Sequence, residues 1–226
     1  MSRAAVSFDP AFFEQAKGRL YASVLSDVLD GMGHRHHAMH PGLRPLDDGA
    51  VLFGRARTGR YVETSGAAPG ANPYAVEIAL VDDLKPCDVA VFDCAGTEAY
   101  AAWGELLTTA ARARGAVGAV IDGQSRDVAL IRDMGFPVFC RSIGMLDAAG
   151  RAEMQAFDIP ITCGGVTVRP GDLVFGDVDG VLVLPAEAAA EAVDRAIRKA
   201  EGENLVRAEL QRGDKLADVF ARHGIL

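Results

Sequence analysis

The sequence predicts a single α/β domain organised around a central β-α-β-α-β unit, and three observations predict it. Between Asp88 and Cys140, short apolar runs alternate with stretches of helical periodicity that end at glycines. After about Ile159 the apolar period falls to two, the mark of short strands. Helical patterns flank the chain at both ends. Strands that alternate with helices pair in parallel through right-handed crossovers.

Each element has its own signal. Asp9 can cap a helix and Pro10 suits its first turn, while Leu20, Val24 and Val28 repeat at four-residue spacing beside Leu25 and Leu29. The first 33 residues therefore read as one helix and its stop at Gly31 and Gly33. A loop runs from His34 to about Gly49, with Pro41, Gly42 and Pro45. Val51–Phe53 and Arg55–Val62 read as two strands. Residues 65–73, rich in Gly, Ala and Pro, read as a mobile loop. Asp88–Asp93 is a short apolar strand, Trp103–Arg114 a helix closed by Gly115, Val117–Asp122 a buried strand, Arg126–Met134 a helix closed by Gly135, and Pro137–Cys140 the start of a third strand. Ile159–Cys163, Val166–Val168, Leu173–Gly176 and Val181–Leu184 follow as strands broken by glycine turns. Pro185 opens a helix reaching about Arg212, long enough to pack across a neighbouring subunit or to lie on the surface. No repeat or linker divides the chain, so residues 1–226 read as one domain, with its core at about 21–185 and its C-terminal helix at about 186–212.

Composition excludes several function classes. The chain has 226 residues, half of them hydrophobic, with 23 Lys plus Arg against 31 Asp plus Glu, a formal net charge of −8. An acidic balance argues against nucleic-acid binding and against a polybasic membrane surface. No uncharged apolar run is long enough for a spanning helix, and the first ten residues lack an export core. Four widely spaced cysteines, Cys87, Cys94, Cys140 and Cys163, suggest buried thiols in a reduced, cytoplasmic protein.

The chemistry concentrates at two strand-to-helix junctions. Twenty residues separate Glu105 from Arg126, one helix plus one strand plus two turns. Both junctions then lie at the carboxyl edge of the parallel strands, where open α/β folds bind ligands. Gly104 removes a side chain where a ligand approaches, leaving the amides of Gly104, Glu105, Leu106 and Leu107 to hold a carboxylate or phosphate. Arg126 offers a planar cationic fork, and Asp127 and Glu105 offer hard oxygens suited to Mg²⁺ or Mn²⁺. The alternative is that both acids only complement helix dipoles while Arg126 pairs with one of them.

The runs Trp103-Gly104-Glu105-Leu106-Leu107 and Asp122-Gly123-Gln124-Ser125-Arg126-Asp127 resemble the RraA-like family, which holds class II 4-hydroxy-4-methyl-2-oxoglutarate aldolases and regulators of ribonuclease activity. Leu25-Ser26-Asp27-Val28-Leu29, Pro137-Val138-Phe139, Cys163-Gly164-Gly165-Val166, Pro170-Gly171-Asp172 and Gly176-Asp177-Val178-Asp179-Gly180-Val181 are similar too, so the resemblance spans about Tyr21 to Gly213. It implies a β/β/α sandwich of swivelling-domain type, assembled as a homotrimer or a hexamer with sites between subunits. It implies a divalent metal on Asp127, with Glu105 holding the metal's waters. Arg126 and the amides from Gly104 to Leu107 would bind the pyruvyl end of a small anionic keto acid. Glu203, with Glu201 close by, is the candidate for a glutamate that reaches a neighbouring subunit's site. Glu105 is a departure, because the family's aldolases tend to carry Asp there. The implied reaction is carbon–carbon cleavage to pyruvate, with oxaloacetate decarboxylation beside it. A non-catalytic, protein-binding regulator of a ribonuclease is the rival.

Other features read as structural. His34, His36, His37 and His40 suggest a loop at a substrate mouth, Asp177 and Asp179 a turn between strands, and Asp122-Gly123 the turn that aims Arg126. Ser26 and Asp27 read as local polar packing on the first helix. Ser125 has no histidine predicted beside it, and Gly115-Ala116-Val117-Gly118 lacks dinucleotide-site spacing.

Overall fold

The computed structural model describes residues 8–64, 70 and 72–225. The loop predicted at 65–73 therefore falls largely outside the described residues. Asp9 caps helix α1 (Pro10–Lys17), its carboxylate accepting from the Phe12 amide at 2.9 Å. The single N-terminal helix of the sequence reading is in fact two, because α1 stops at Gly18 and α2 (Ala22–Gly31) starts afresh after Tyr21. The first amide of α2, on Ala22, donates to the Asp177 carboxylate at 2.7 Å, a partner 155 residues away that no local pattern announces.

A two-residue strand, β1 (Arg44–Pro45), lies within the predicted loop. The two strands expected around residue 54 are one, β2 (Leu52–Glu63). Gly54 does not break it: a Cβ there would sit 2.4 Å from the Cys87 carbonyl oxygen, so glycine permits a close backbone approach. Helix α3 (Ala75–Asp82) was not expected; β3 (Asp88–Asp93) was, with these bounds. Then follow β4 (Ala101–Trp103), α4 (Glu105–Ala113), β5 (Gly118–Ser125), α5 (Val128–Asp133), β6 (Val138–Ile143) and an unexpected β7 (Ala152–Phe157). The chain ends with β8 (Ile161–Cys163), β9 (Val166–Val168), β10 (Leu173–Asp177), β11 (Gly180–Leu184), the 26-residue α6 (Ala186–Gln211) and α7 (Leu216–His223).

One large sheet runs β1-β6-β5-β3-β2-β10-β11, with β4 beside β5 and β7 beside β2. β3, β5 and β6 are parallel, as the alternating pattern predicted; β2 also runs parallel to β3, which that pattern did not cover, while β10 returns antiparallel to β2. Strand alternation sorts the core into layers. Phe92, Ile121 and Val138 face α3, α4 and α5. Val91, Val120 and Phe139 point the other way, onto the β8–β9 hairpin and onto Val181 and Val183 of β11. Helices α1, α2 and α6 cover Phe53, Phe175 and Leu184 at the other end of the sheet.

The Met39 amide donates to the Val181 carbonyl and the Val183 amide to the His37 carbonyl, both at 2.9 Å, while β1 pairs with β6. This segment thereby links the two ends of the sheet, which curls close to a barrel around its valine-rich layer. The result is a mixed α/β single domain with flanking helices. All four cysteines are free and buried, and burial pushes each thiol above its ordinary range, Cys140 to about 11. Among the described residues no helix is long and apolar enough to cross a membrane.

Candidate active site

The two predicted junctions do meet. β4 and β5 pair in parallel with Trp103 opposite Ser125, so the chain enters α4 and α5 side by side. The Arg126 amide donates to the Trp103 carbonyl at 2.9 Å, and the Glu105 amide donates to Asp127 Oδ2 at 3.2 Å. Gly104, the residue before α4, is required by this contact: a Cβ there would lie 2.6 Å from Asp127 Oδ2 and 3.2 Å from Arg126 Cγ. No side chain caps α4, so the amides of Leu106 and Leu107 keep the free positive end of the helix.

Asp127 itself has φ +57°, a left-handed conformation that Asp tolerates better than most residues and that still costs about 1 kcal/mol. The turn aims Arg126 and Asp127 into a cavity of about 370 Å³ between α3, α4 and the loop after β6. Arg126 lies 3.7 Å from Asp127 and 3.3 Å from Asp147, and both acids stay more than a third exposed. Tyr74, at the start of α3, donates its hydroxyl to Asp147, and this bond, followed by burial, raises the tyrosine's pKa.

Sequence reasoning missed Tyr74, Glu77 and Asp147, which topology brings in from 52 and 49 residues before Arg126 and 21 after it. Glu77 lines the cavity at only 6% exposure and accepts from the Tyr61 hydroxyl at 2.6 Å. Burial pushes its carboxyl up to about 7, against the opposing pull of the Tyr61 hydrogen bond. A buried carboxyl in a helix reads from sequence as a solvated acid on a polar face, so no signal marked it.

The other predicted residues lie elsewhere. Glu105 folds back along α4, accepting from Thr109 at 2.6 Å, and does not line the cavity. Glu203 accepts from Tyr21, whose hydroxyl is raised to about 12 by burial and then by this bond, and lies 3.9 Å from Lys199. Glu201 pairs with Arg19. Neither glutamate lines the cavity of its own chain.

Asp122 does not shape the turn that aims Arg126. It sits within β5, where its buried carboxylate pairs with Arg141 and accepts from the Gly164 amide at 2.7 Å, pinning the β8–β9 turn. Asp177 serves its turn, accepting from the Asp179 amide at 2.9 Å, besides holding α2. None of the four loop histidines lines the cavity. His37 is instead buried between Ser26 and the His34 carbonyl, at 2.8 and 2.6 Å.

The donor set fits a hard, hydrated cation. Among the described residues no three His, Cys, Asp or Glu side chains gather to cage a metal. Accessible aspartates, Asp127 and Asp147, with neither His nor Cys beside them suit Mg²⁺ or Mn²⁺, which keep several waters, and do not suit Zn²⁺.

Fold and site together define an α/β protein whose candidate site opens at the carboxyl edge of its parallel strands, with cation, anion and helix-end groups converging there. The chain belongs to the RraA-like family, described as Aldolase/RraA, whose model matches residues 22–183. It is 32% identical over 199 residues to a Halalkalibacterium halodurans protein named "Putative 4-hydroxy-4-methyl-2-oxoglutarate aldolase", covering 88% of this chain and 86% of that one. Its structure is similar to an uncharacterized protein from Pseudomonas syringae pv. tomato, with a TM-score of 0.80, 28% identity and coverage of 91% and 96%. It is also similar to RraAS2 of Streptomyces coelicolor, described as an unusual member of the RNase ES inhibitor RraA protein family, with a TM-score of 0.78, 27% identity and coverage of 89% and 98%.

Proposed function

We propose that this protein is a divalent-metal-dependent class II pyruvate lyase. It cleaves a 4-hydroxy-2-oxo acid of the 4-hydroxy-4-methyl-2-oxoglutarate type to pyruvate and decarboxylates oxaloacetate as a side activity. The observation that supports this reading is the convergence of Arg126, Asp127 and the open amides of α4 on one cavity.

Arg126 exchanges its contact with Asp147 for the carboxylate of the pyruvyl end, and the Leu106 and Leu107 amides bind the same end. Asp127 would hold the Mg²⁺ or Mn²⁺ ion, which when bound supplies Lewis acidity toward the 2-oxo group. Glu105, released from Thr109, and Glu203 of a neighbouring subunit in a homotrimer or hexamer take up the 4-hydroxyl proton through water. The C3–C4 bond breaks with its electron pair left on C3. The departing carbon becomes a carbonyl, and C3 receives through the same water the proton taken from the 4-hydroxyl, becoming the pyruvate methyl. Arg126, fixed before charge develops, stabilises the enolate.

A lactate-dehydrogenase-coupled assay with Mg²⁺ or Mn²⁺ tests this: pyruvate should form from such substrates and cease with EDTA. No pyruvate above background across 4-hydroxy-2-oxo acids and oxaloacetate would falsify it.

A second reading, a protein-binding regulator of a ribonuclease, is favoured by the likeness to RraAS2 and by the net charge of −8, which suits a basic partner. Capture of a ribonuclease that survives Asp127→Ala would support the regulator.

A further inference from the structure

Decarboxylation of oxaloacetate needs a proton that aldol cleavage supplies for itself. Cleavage of a 4-hydroxy-2-oxo acid carries the 4-hydroxyl proton to C3 through water. Oxaloacetate has no 4-hydroxyl, so when CO₂ departs, the electron pair left on C3 takes its proton from another source. Glu77 stands at the cavity wall in a form suited to give one. Helix α3 carries it to the space shared by Arg126, Asp127 and the start of α4, beside Ile78, Trp103 and Leu106. The buried Tyr61 hydroxyl donates to one Glu77 oxygen at 2.6 Å. That oxygen is the acceptor, so the carboxyl proton sits on the other, which has no hydrogen-bond partner among the described residues. The titratable groups that face this carboxyl are Tyr61 from β2, Tyr74 from α3 itself, Cys94 after β3, Arg126 before α5 and Asp147 after β6. Among the described residues no hydrogen bond or ion pair joins it to Asp127 or Asp147. Burial, the largest influence on it, pushes the carboxyl up to about 7, so acid and base forms are both present near neutrality.

We propose that Glu77 is the catalytic acid that delivers the C3 proton when oxaloacetate is decarboxylated. This rests on the lyase reading and adds a residue to it. The C3–C4 bond breaks, CO₂ leaves, and the electron pair stays on C3 as the pyruvate enolate. The C3–H bond then forms as the Glu77 O–H bond breaks, with the O–H electron pair left on the carboxylate. The product is keto pyruvate, and a solvent proton restores the acid. Run backwards on pyruvate, the Glu77 carboxylate takes a methyl proton, so the methyl hydrogens exchange with solvent.

Proton NMR of pyruvate in D₂O, with the full-length protein and Mg²⁺, isolates that step from carbon–carbon cleavage. Glu77→Gln keeps the shape of the side chain and its acceptor for Tyr61 but carries no exchangeable acid. It should slow methyl exchange at least about 30-fold, while the pyruvate Kd from titration calorimetry changes by less than about threefold. Its loss in oxaloacetate decarboxylation should exceed its loss in 4-hydroxy-2-oxo acid cleavage by at least about tenfold. Exchange needs the carboxylate form, so its rate should rise with pH and level off. Tyr61→Phe removes a hydrogen bond that favours the carboxylate and should move that rise to higher pH, a shift that a merely structural role for Glu77 would not produce.

A folded Glu77→Gln that exchanges pyruvate hydrogens at the wild-type rate overturns the proposal, as does an equal loss in both carbon–carbon reactions. Should that variant not fold, the pH profile decides: an exchange rate flat with pH in the wild type, or one that Tyr61→Phe leaves in place, overturns it. The lyase reading fails separately. A wild type that forms no pyruvate from any of these substrates and exchanges no methyl hydrogen sinks both. A wild type that releases pyruvate beside an unimpaired Glu77→Gln sinks only the role of Glu77.

Discussion

Two aspartates five residues apart, Asp122 and Asp127, are used in opposite ways. Asp122 lies within β5 at 5% side-chain exposure, with Arg141 on one oxygen and the Gly164 amide on the other. Asp127 follows the same strand at 41% exposure, accepts one amide at 3.2 Å, and meets Arg126 only at 3.7 Å. The first carboxylate is saturated and closed; the second is held in place with its capacity largely unspent. Burial with full pairing makes an acid a structural tie, while partial pairing at an open edge leaves it for a ligand.

The sharpest way to break this comparison is at Asp127. Asp127→Ala and Arg126→Ala should each lower pyruvate release by at least about 1,000-fold, some 4 kcal/mol of transition-state stabilisation, with thermal midpoints moved by only a few degrees. Coupled-assay kinetics beside a melting curve read both. Asp122→Ala should do the reverse, costing about 3–5 kcal/mol in urea unfolding because it strands the Arg141 charge. An Asp122→Ala protein as stable as wild type would erase the distinction.

Glu77 stands between the two, buried like Asp122 and incompletely paired like Asp127. Its carboxyl is raised from an ordinary 4.5 to about 7, so the folded state binds the proton more tightly than the unfolded state does. That contribution is fully present below about pH 4.5 and lost as pH rises through about 7, on the order of 2–3 kcal/mol. Glu77→Gln should flatten this part of the stability–pH curve. Tyr61, Asp147 and Arg126 also face Glu77, and Arg126 opposes the rise.

The smallest effect belongs to Asp177, which satisfies the first amide of α2 from a distance. Asp177→Ala should cost about 1 kcal/mol with pyruvate kinetics unchanged. A change in kinetics would place this end of the fold in contact with the chemistry.

What was legible in the sequence follows the same division. Strand β3 reads directly because a parallel interior strand is apolar on both faces, and the Glu105-to-Arg126 spacing reads because both junctions recur at one sheet edge. β7 was hidden because Ala152, Glu153, Met154 and Gln155 favour helix in isolation, and only pairing with β2 makes them a strand. Helix α3 was hidden because Glu77, an acid, sits on its buried side. Tyr74, Glu77 and Asp147 reach Arg126 only through the folded topology, so no spacing rule connects them.

The four buried thiols have a practical corollary. With every native cysteine sequestered and its pKa raised, the folded protein offers maleimide reagents a silent background. A cysteine introduced at an exposed position such as Leu205, on α6 near Glu203, or Leu106, beside the cavity, becomes a unique label. Paired dyes at those two positions on separate copies test the proposed homotrimer or hexamer: energy transfer on mixing would mark an assembly, and its efficiency would turn the approach of α6 to a second copy's cavity into a distance.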